Sequence, residues 1–207
     1  MRLIVCVLIL LLSLTGCTAE SNMSVLKSKD EPAKITLTPV DLFKGEGAKF
    51  QPFLGPMTGA FKLRYEGNKP NASLDIDIWQ NGKKTASSGS IGDLFFSSGD
   101  KENHEIEVII SIDTVFNEGE DSYNKIKVST INDSGSSLVT FTTVWDKEFT
   151  TRGLIYYNEP RTFVTDQSAY VWGMQATSTN TMQTADFSPE ALSGLERAVI
   201  FTLRFED

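Results

Sequence analysis

The chain has 207 residues, 40% of them hydrophobic and 22% charged, the balance of a sequence that can bury a core and not of a disordered tail. With 19 basic and 27 acidic residues its formal charge is -8, which leaves no basic footprint for a phosphate backbone and excludes nucleic acid as a partner class. The only cysteines are Cys6 and Cys17, and the only histidine is His104, so zinc sites built on Cys and His are excluded and no cofactor or metal is expected.

The chain opens with Met1-Arg2 and a twelve-residue apolar run, Leu3 to Leu14. That run is shorter than the roughly 18 residues a spanning helix needs, but it has the length of the apolar region of an export signal. Leu14-Thr15-Gly16-Cys17 follows, and this segment resembles the lipobox of bacterial lipoproteins: an aliphatic residue, two small ones, then the modified cysteine. The resemblance implies removal of residues 1–16 and lipidation of Cys17, with the mature chain held on the outer face of the cell membrane, or on the outer membrane of a two-membrane cell. Thr18 is not the aspartate that retains such proteins at the inner membrane of Gram-negative bacteria. A diacylglyceryl group supplies the multiple acyl chains that stable anchoring requires. Loss of Cys6 with the signal and of Cys17 to lipid leaves no intramolecular disulfide, so the folded part must rely on core packing.

Residues 17–33 are polar and without apolar period, which reads as a flexible tether; the sixteen residues after Cys17 reach roughly 20 to 25 Å. Residues 34–207 read as one domain of strands. Ile35–Val40 and Ala60–Tyr65 are the first two candidates. Ser73–Trp79 alternates cleanly, and Asn81-Gly82 after it is the composition of a type I′ hairpin turn, returning the chain through Lys83–Ser88. Glu105–Asp113, Tyr123–Ile131, Leu138–Trp145, Arg152–Tyr157, Ala169–Trp172 and Ala198–Phe205 extend the series. The single helical signal is Ser188-Pro189-Glu190, a cap residue with proline at the first helical position. Short strands joined by turns, without alternating helices, predict an all-β antiparallel sandwich, immunoglobulin-like or jelly-roll-like, with one short helix near the C-terminus.

No catalytic constellation stands out. Asp75 and Asp77 share a strand face roughly 7 Å apart, which suits a glycosidase pair but equally an ordinary solvated face, the preferred reading. His104 reads as structural, the carboxylate-rich stretch 117–121 as an acidic turn, and the glycines at Gly45, Gly47, Gly89 and Gly92 as turns. Two segments are less ordinary. Nineteen residues between Asp166 and Asp186 carry no formal charge; they hold Tyr170 and Trp172 at one strand parity and then a Thr/Ser/Gln-rich stretch, Gln175 to Thr184, that reads as a long loop. With Tyr156 and Tyr157 these aromatics are the candidate ligand-binding residues, suited to an envelope glycan or an uncharged protein segment. Phe50 to Phe61, apolar but broken by Pro52, Gly55, Pro56 and Gly59, is expected to be neither regular helix nor central strand, but a core-covering loop or an exposed lip. The functional expectation is a lipid-anchored, non-catalytic binding or interaction module, the alternatives being an envelope-glycan hydrolase using surface carboxylates or an accessory subunit of a membrane complex.

Overall fold

The computed structural model describes residues 34–66, 72–95, 105–116, 122–164 and 168–205, all within the unit Pro32–Asp207. Cys17, the tether, His104 and the acidic stretch 117–121 lie outside the described residues. The described residues form eleven strands: β1 (Lys34–Val40), β2 (Thr58–Glu66), β3 (Ala72–Gln80), β4 (Lys83–Ile91), β5 (Glu105–Val115), β6 (Ser122–Asn132), β7 (Gly135–Trp145), β8 (Thr151–Tyr156), β9 (Arg161–Val164), β10 (Ala169–Thr177) and β11 (Arg197–Phe205). They pair antiparallel throughout in two sheets, β7-β6-β5-β2-β1-β9 and β4-β3-β11-β10-β8. The protein is an all-β antiparallel sandwich.

Alternation decides which side chains meet. Ile106, Val108, Ile110 and Ile112 of β5 and Ile126 and Val128 of β6 point inward from the larger sheet, against Leu74, Ile76 and Ile78 of β3 and Val199, Phe201 and Leu203 of β11. Each such fully buried aliphatic or aromatic side chain stabilises the fold by about 1.5 to 3 kcal/mol. One lateral edge of the sandwich closes where β4 approaches β7. Gly89, at φ 151°, lies there against the Phe141 ring, and any Cβ at that position would overlap it. At the other lateral edge the chain crosses from β8 in one sheet to β9 in the other through residues 157–160.

A second, smaller core covers the outer face of the five-stranded sheet. Trp79, Ile155, Ala198 and Ile200 point outward from that sheet and are roofed by Leu192 and Leu195, with Phe187, Ala185 and Tyr170 at the margin. The roof is the segment after β10, which includes a short helix at Pro189–Ser193. Its Ser188 side chain accepts a hydrogen bond from Ala191 N, with Pro189 at the first helical position.

Three local readings of the sequence are corrected. A 3-10 turn over Gly45–Phe50 runs into a one-turn helix, α1 (Gln51–Leu54), so that the helix at Pro189–Ser193 is α2; Pro52 is tolerated because it sits in the first turn, and Gly55 at φ 77° ends α1. The apolar segment that follows does enter a central strand, since Thr58 to Phe61 pair on both sides, with β5 throughout and with β1 from Ala60. The loop expected from Gln175 starts later, because β10 continues to Thr177, and the four-residue strand β9 carries no alternation long enough to mark it in the sequence.

Candidate functional site

The four aromatic candidates do not form one platform. Simple alternation would put Tyr170 and Trp172 on one strand face, but β10 carries a bulge: Tyr170 pairs with Thr202 while Trp172 pairs with Phe201, leaving Val171 as the extra residue. The parity therefore flips. Val171 and Trp172 both turn into the main core, where Trp172 is 2% exposed and meets Phe201 edge-on at 5.4 Å between centroids. Tyr170 points to the outer face, T-stacked on Trp79 at 5.7 Å and beside Phe187 at 6.0 Å.

Tyr157 lies at the crossing between the sheets, its ring held by Phe187 at 5.1 Å, by Phe163 at 5.9 Å and by the Arg161 guanidinium over it at 5.3 Å. Burial raises its phenol above the ordinary value; Arg161 opposes that rise and Asp186 adds to it. Tyr156, 50% exposed, is the open ring of the set.

Tyr156, Tyr157 and Trp172 nevertheless share a cleft of about 540 Å³ at the lateral opening between the sheets. Its floor is hydrocarbon from the main core: Leu37 of β1, Phe61 of β2, Leu154 of β8 and Val171 of β10. Its rim is polar, with Asp41, Thr38 and Asn158. Asp41 is fixed by a tight turn in which Phe43 N donates to Oδ1 at 3.1 Å. Gly59 lies directly against the indole Nε1 of Trp172, and a Cβ there would overlap it. The cleft is thus shaped by one glycine and one bulge, and among the described residues no lysine or arginine lines it.

The paired aspartates differ from the solvated-face reading. Asp77 is 2% exposed, its Oδ2 accepting from Thr202 Oγ1 at 2.8 Å. Lys84 Nζ stands 2.7 Å from Oδ1, paired in charge but outside hydrogen-bonding alignment. Asp75 accepts from Ser90 Oγ at 2.6 Å and lies 3.5 Å from Arg204. Both carboxylates are therefore committed to structure, on the outer face of the sheet and away from the cleft between the sheets. Among the described residues no three His, Cys, Asp or Glu side chains gather as a metal site.

Two further carboxylates organise the roof over the outer face. Glu196 accepts from Ser178 N at 3.0 Å, from Ser178 Oγ at 2.9 Å and from the Thr177 hydroxyl. Those bonds, that of the Ser178 N–H first, hold its carboxyl below the ordinary value. Asp186 is held down likewise by the Ser188 hydroxyl and N–H.

Sequence reasoning missed the rim residues Asp41 and Asn158 and the role of the glycine at 59 because four separate segments of the chain build the cleft, and no periodicity announces such a meeting. The buried outer face did leave a signal. Ala198-Val199-Ile200-Phe201 is apolar at both parities, the mark of a strand covered on both sides. No protein-family model, no curated protein and no solved structure matches this chain.

Proposed function

We propose that the chain is a lipid-anchored, extracytoplasmic binding module, carried by Cys17 on the membrane and taking an envelope ligand or partner in the lateral cleft. The observation that carries this reading is the cleft itself: a concavity of about 540 Å³, within the size range of ligand pockets, with an apolar floor and a few polar groups at its rim. The commitment of Asp75 and Asp77 to ion pairs and hydrogen bonds within the fold weighs against a hydrolase built on them. The anchor rests on the resemblance of Leu14-Thr15-Gly16-Cys17 to a lipobox.

The test is in cells. A photo-crosslinking p-benzoylphenylalanine placed at Tyr156 should capture an envelope component, while the same group at Ser136, on the exposed part of β7, should not. Equal capture from both positions overturns the cleft as the site. Cys17→Ala should move the protein from the membrane fraction to the soluble one; unchanged fractionation overturns the anchor.

A second reading has one observation in its favour. Phe50, at the end of the 3-10 turn, is 52% exposed and Phe53, within α1, 82%, an apolar lip of the kind that meets a partner subunit. Phe53→Asp should release a co-purifying membrane complex under this reading and leave cleft-dependent capture intact under the first.

A further inference from the structure

We infer that the cleft takes the apolar body of an uncharged amphiphile, with its polar head at the Asp41–Asn158 rim, and turns anionic ligands away. The inference rests on the cleft being the binding site and names its ligand class.

The floor residues Leu37, Phe61, Leu154 and Val171 belong to the main hydrophobic core, so a ligand body that reaches them replaces water on hydrocarbon. A hydroxyl-rich sugar ring placed there would lose its hydration with nothing below to restore it. Two of the three aromatic faces a sugar could stack on are also taken, which leaves the half-exposed Tyr156 ring at the rim. Trp172 is 2% exposed, and Tyr157 is held by Phe187, Phe163 and Arg161. The exposed hydrogen-bonding groups stand at the rim, at Asp41, Asn158 and Tyr156, while the Thr58 hydroxyl deeper in is spent on Leu54 O at 2.6 Å. Charge then selects the head group. Among the described residues the one ionised group lining the cleft is the Asp41 carboxylate, and the chain carries -8 overall. An anionic head would meet like charge with no counter-ion among the lining residues, Arg161 being stacked on the Tyr157 ring, whereas a neutral head meets an acceptor and an amide. The volume equals that of about eighteen liquid waters, which sets the body at roughly that number of heavy atoms.

The test uses two photolabels that differ by one carboxylate, benzophenone and 4-benzoylbenzoate. They are offered at equal free concentration to the full lipidated chain on phosphatidylcholine vesicles. Labelled residues are mapped by mass spectrometry. Benzophenone should label the peptides that carry Leu37–Val40 and Leu154–Tyr156, exceeding 4-benzoylbenzoate there by about tenfold. Decanol should protect these peptides and decanoate should not. Asp41→Asn, which keeps the acceptor that holds the turn, should narrow the difference between the labels, and Tyr156→Ala should weaken both.

Equal labelling by the two compounds, or protection by a neutral N-acetylglucosamine oligomer and not by decanol, overturns the inference. Absence of label from the cleft, with capture from position 156 retained in cells, also overturns it while leaving the binding-module reading in place.

Discussion

Gly59 and Trp172 are the tightest side-chain accommodation across the two sheets, because the indole of one sheet occupies the space a Cβ on the other would fill. Trp172 cannot swing away, being 2% exposed and packed against Phe201. Gly59→Ala should therefore cost about 1 to 3 kcal/mol as overpacking, read as a lower urea midpoint at unchanged slope, with Trp172 emission altered. A second residue-scale consequence follows from the ion pair on the outer face. Removing Lys84 strands the Asp77 carboxylate at a site where water hardly reaches it, leaving the Thr202 hydroxyl as its remaining partner. A fully buried pair broken in this way costs about 3 to 5 kcal/mol, and because the Lys84 side chain is half-exposed the cost of Lys84→Met should be nearer to about 2 kcal/mol. Denaturant melts of the single variant and of Lys84→Met with Asp77→Asn check it. The double variant should recover part of the loss.

At the scale of elements, the Asn81-Gly82 turn shows what local sequence can specify. Both residues take positive φ, 51° and 71°, as a type I′ turn requires, and β3 and β4 pair as a hairpin around it. The turn also docks under the roof, Asn81 N donating to Glu196 O at 2.9 Å and Gly82 N to Leu195 O at 2.8 Å. Gly82 is pressed against the Ser193 backbone, so Gly82→Ala combines a left-handed penalty of about 1 to 2 kcal/mol with a clash. It should loosen helix α2 as well as the hairpin, seen as faster amide exchange at Leu192 and Leu195. The other strands apart from β9 are legible in the same way, because alternation and turn composition are local. The bulge in β10 is not, since inserting Val171 between Tyr170 and Trp172 answers to the pairing with β11 and to the space under Gly59, neither of which is written within the strand. That single insertion is why two aromatics assigned to one face lie on opposite faces. The same logic hides β9, four residues whose pairing with β1 is made only after the chain has crossed between sheets.

At the scale of the molecule, the five-stranded sheet is shared by two cores, and they differ in what secures them. The inner one is hydrocarbon from both sheets, whereas the roof of the outer one is tied down by hydrogen bonds to Glu196 and Asp186. Both carboxyls are held below their ordinary values of 4.5 and 3.8. A depressed carboxyl contributes stability that is fully present above its unfolded pKa and is lost as pH falls through its folded one. The roof should accordingly be unaffected from neutral pH down to about 4.5 and loosen below it, while the inner core, being hydrocarbon from both sheets, should persist to lower pH. Trp79 reports the difference. Its ring lies in the outer core with a buried, unpartnered Nε1, whereas Trp145 and Trp172 belong to the inner one. Acidification should first raise amide exchange across residues 178–196 and shift Trp79 emission to the red, with far-ultraviolet dichroism unchanged. Glu196→Gln should raise that exchange already at neutral pH and flatten its dependence below 4.5, because the amide accepts weaker bonds from Ser178 and Thr177 but does not titrate. Simultaneous loss of both cores on acidification, in the parent and the variant alike, would mean that the roof is no separate unit and that the sandwich opens as a whole.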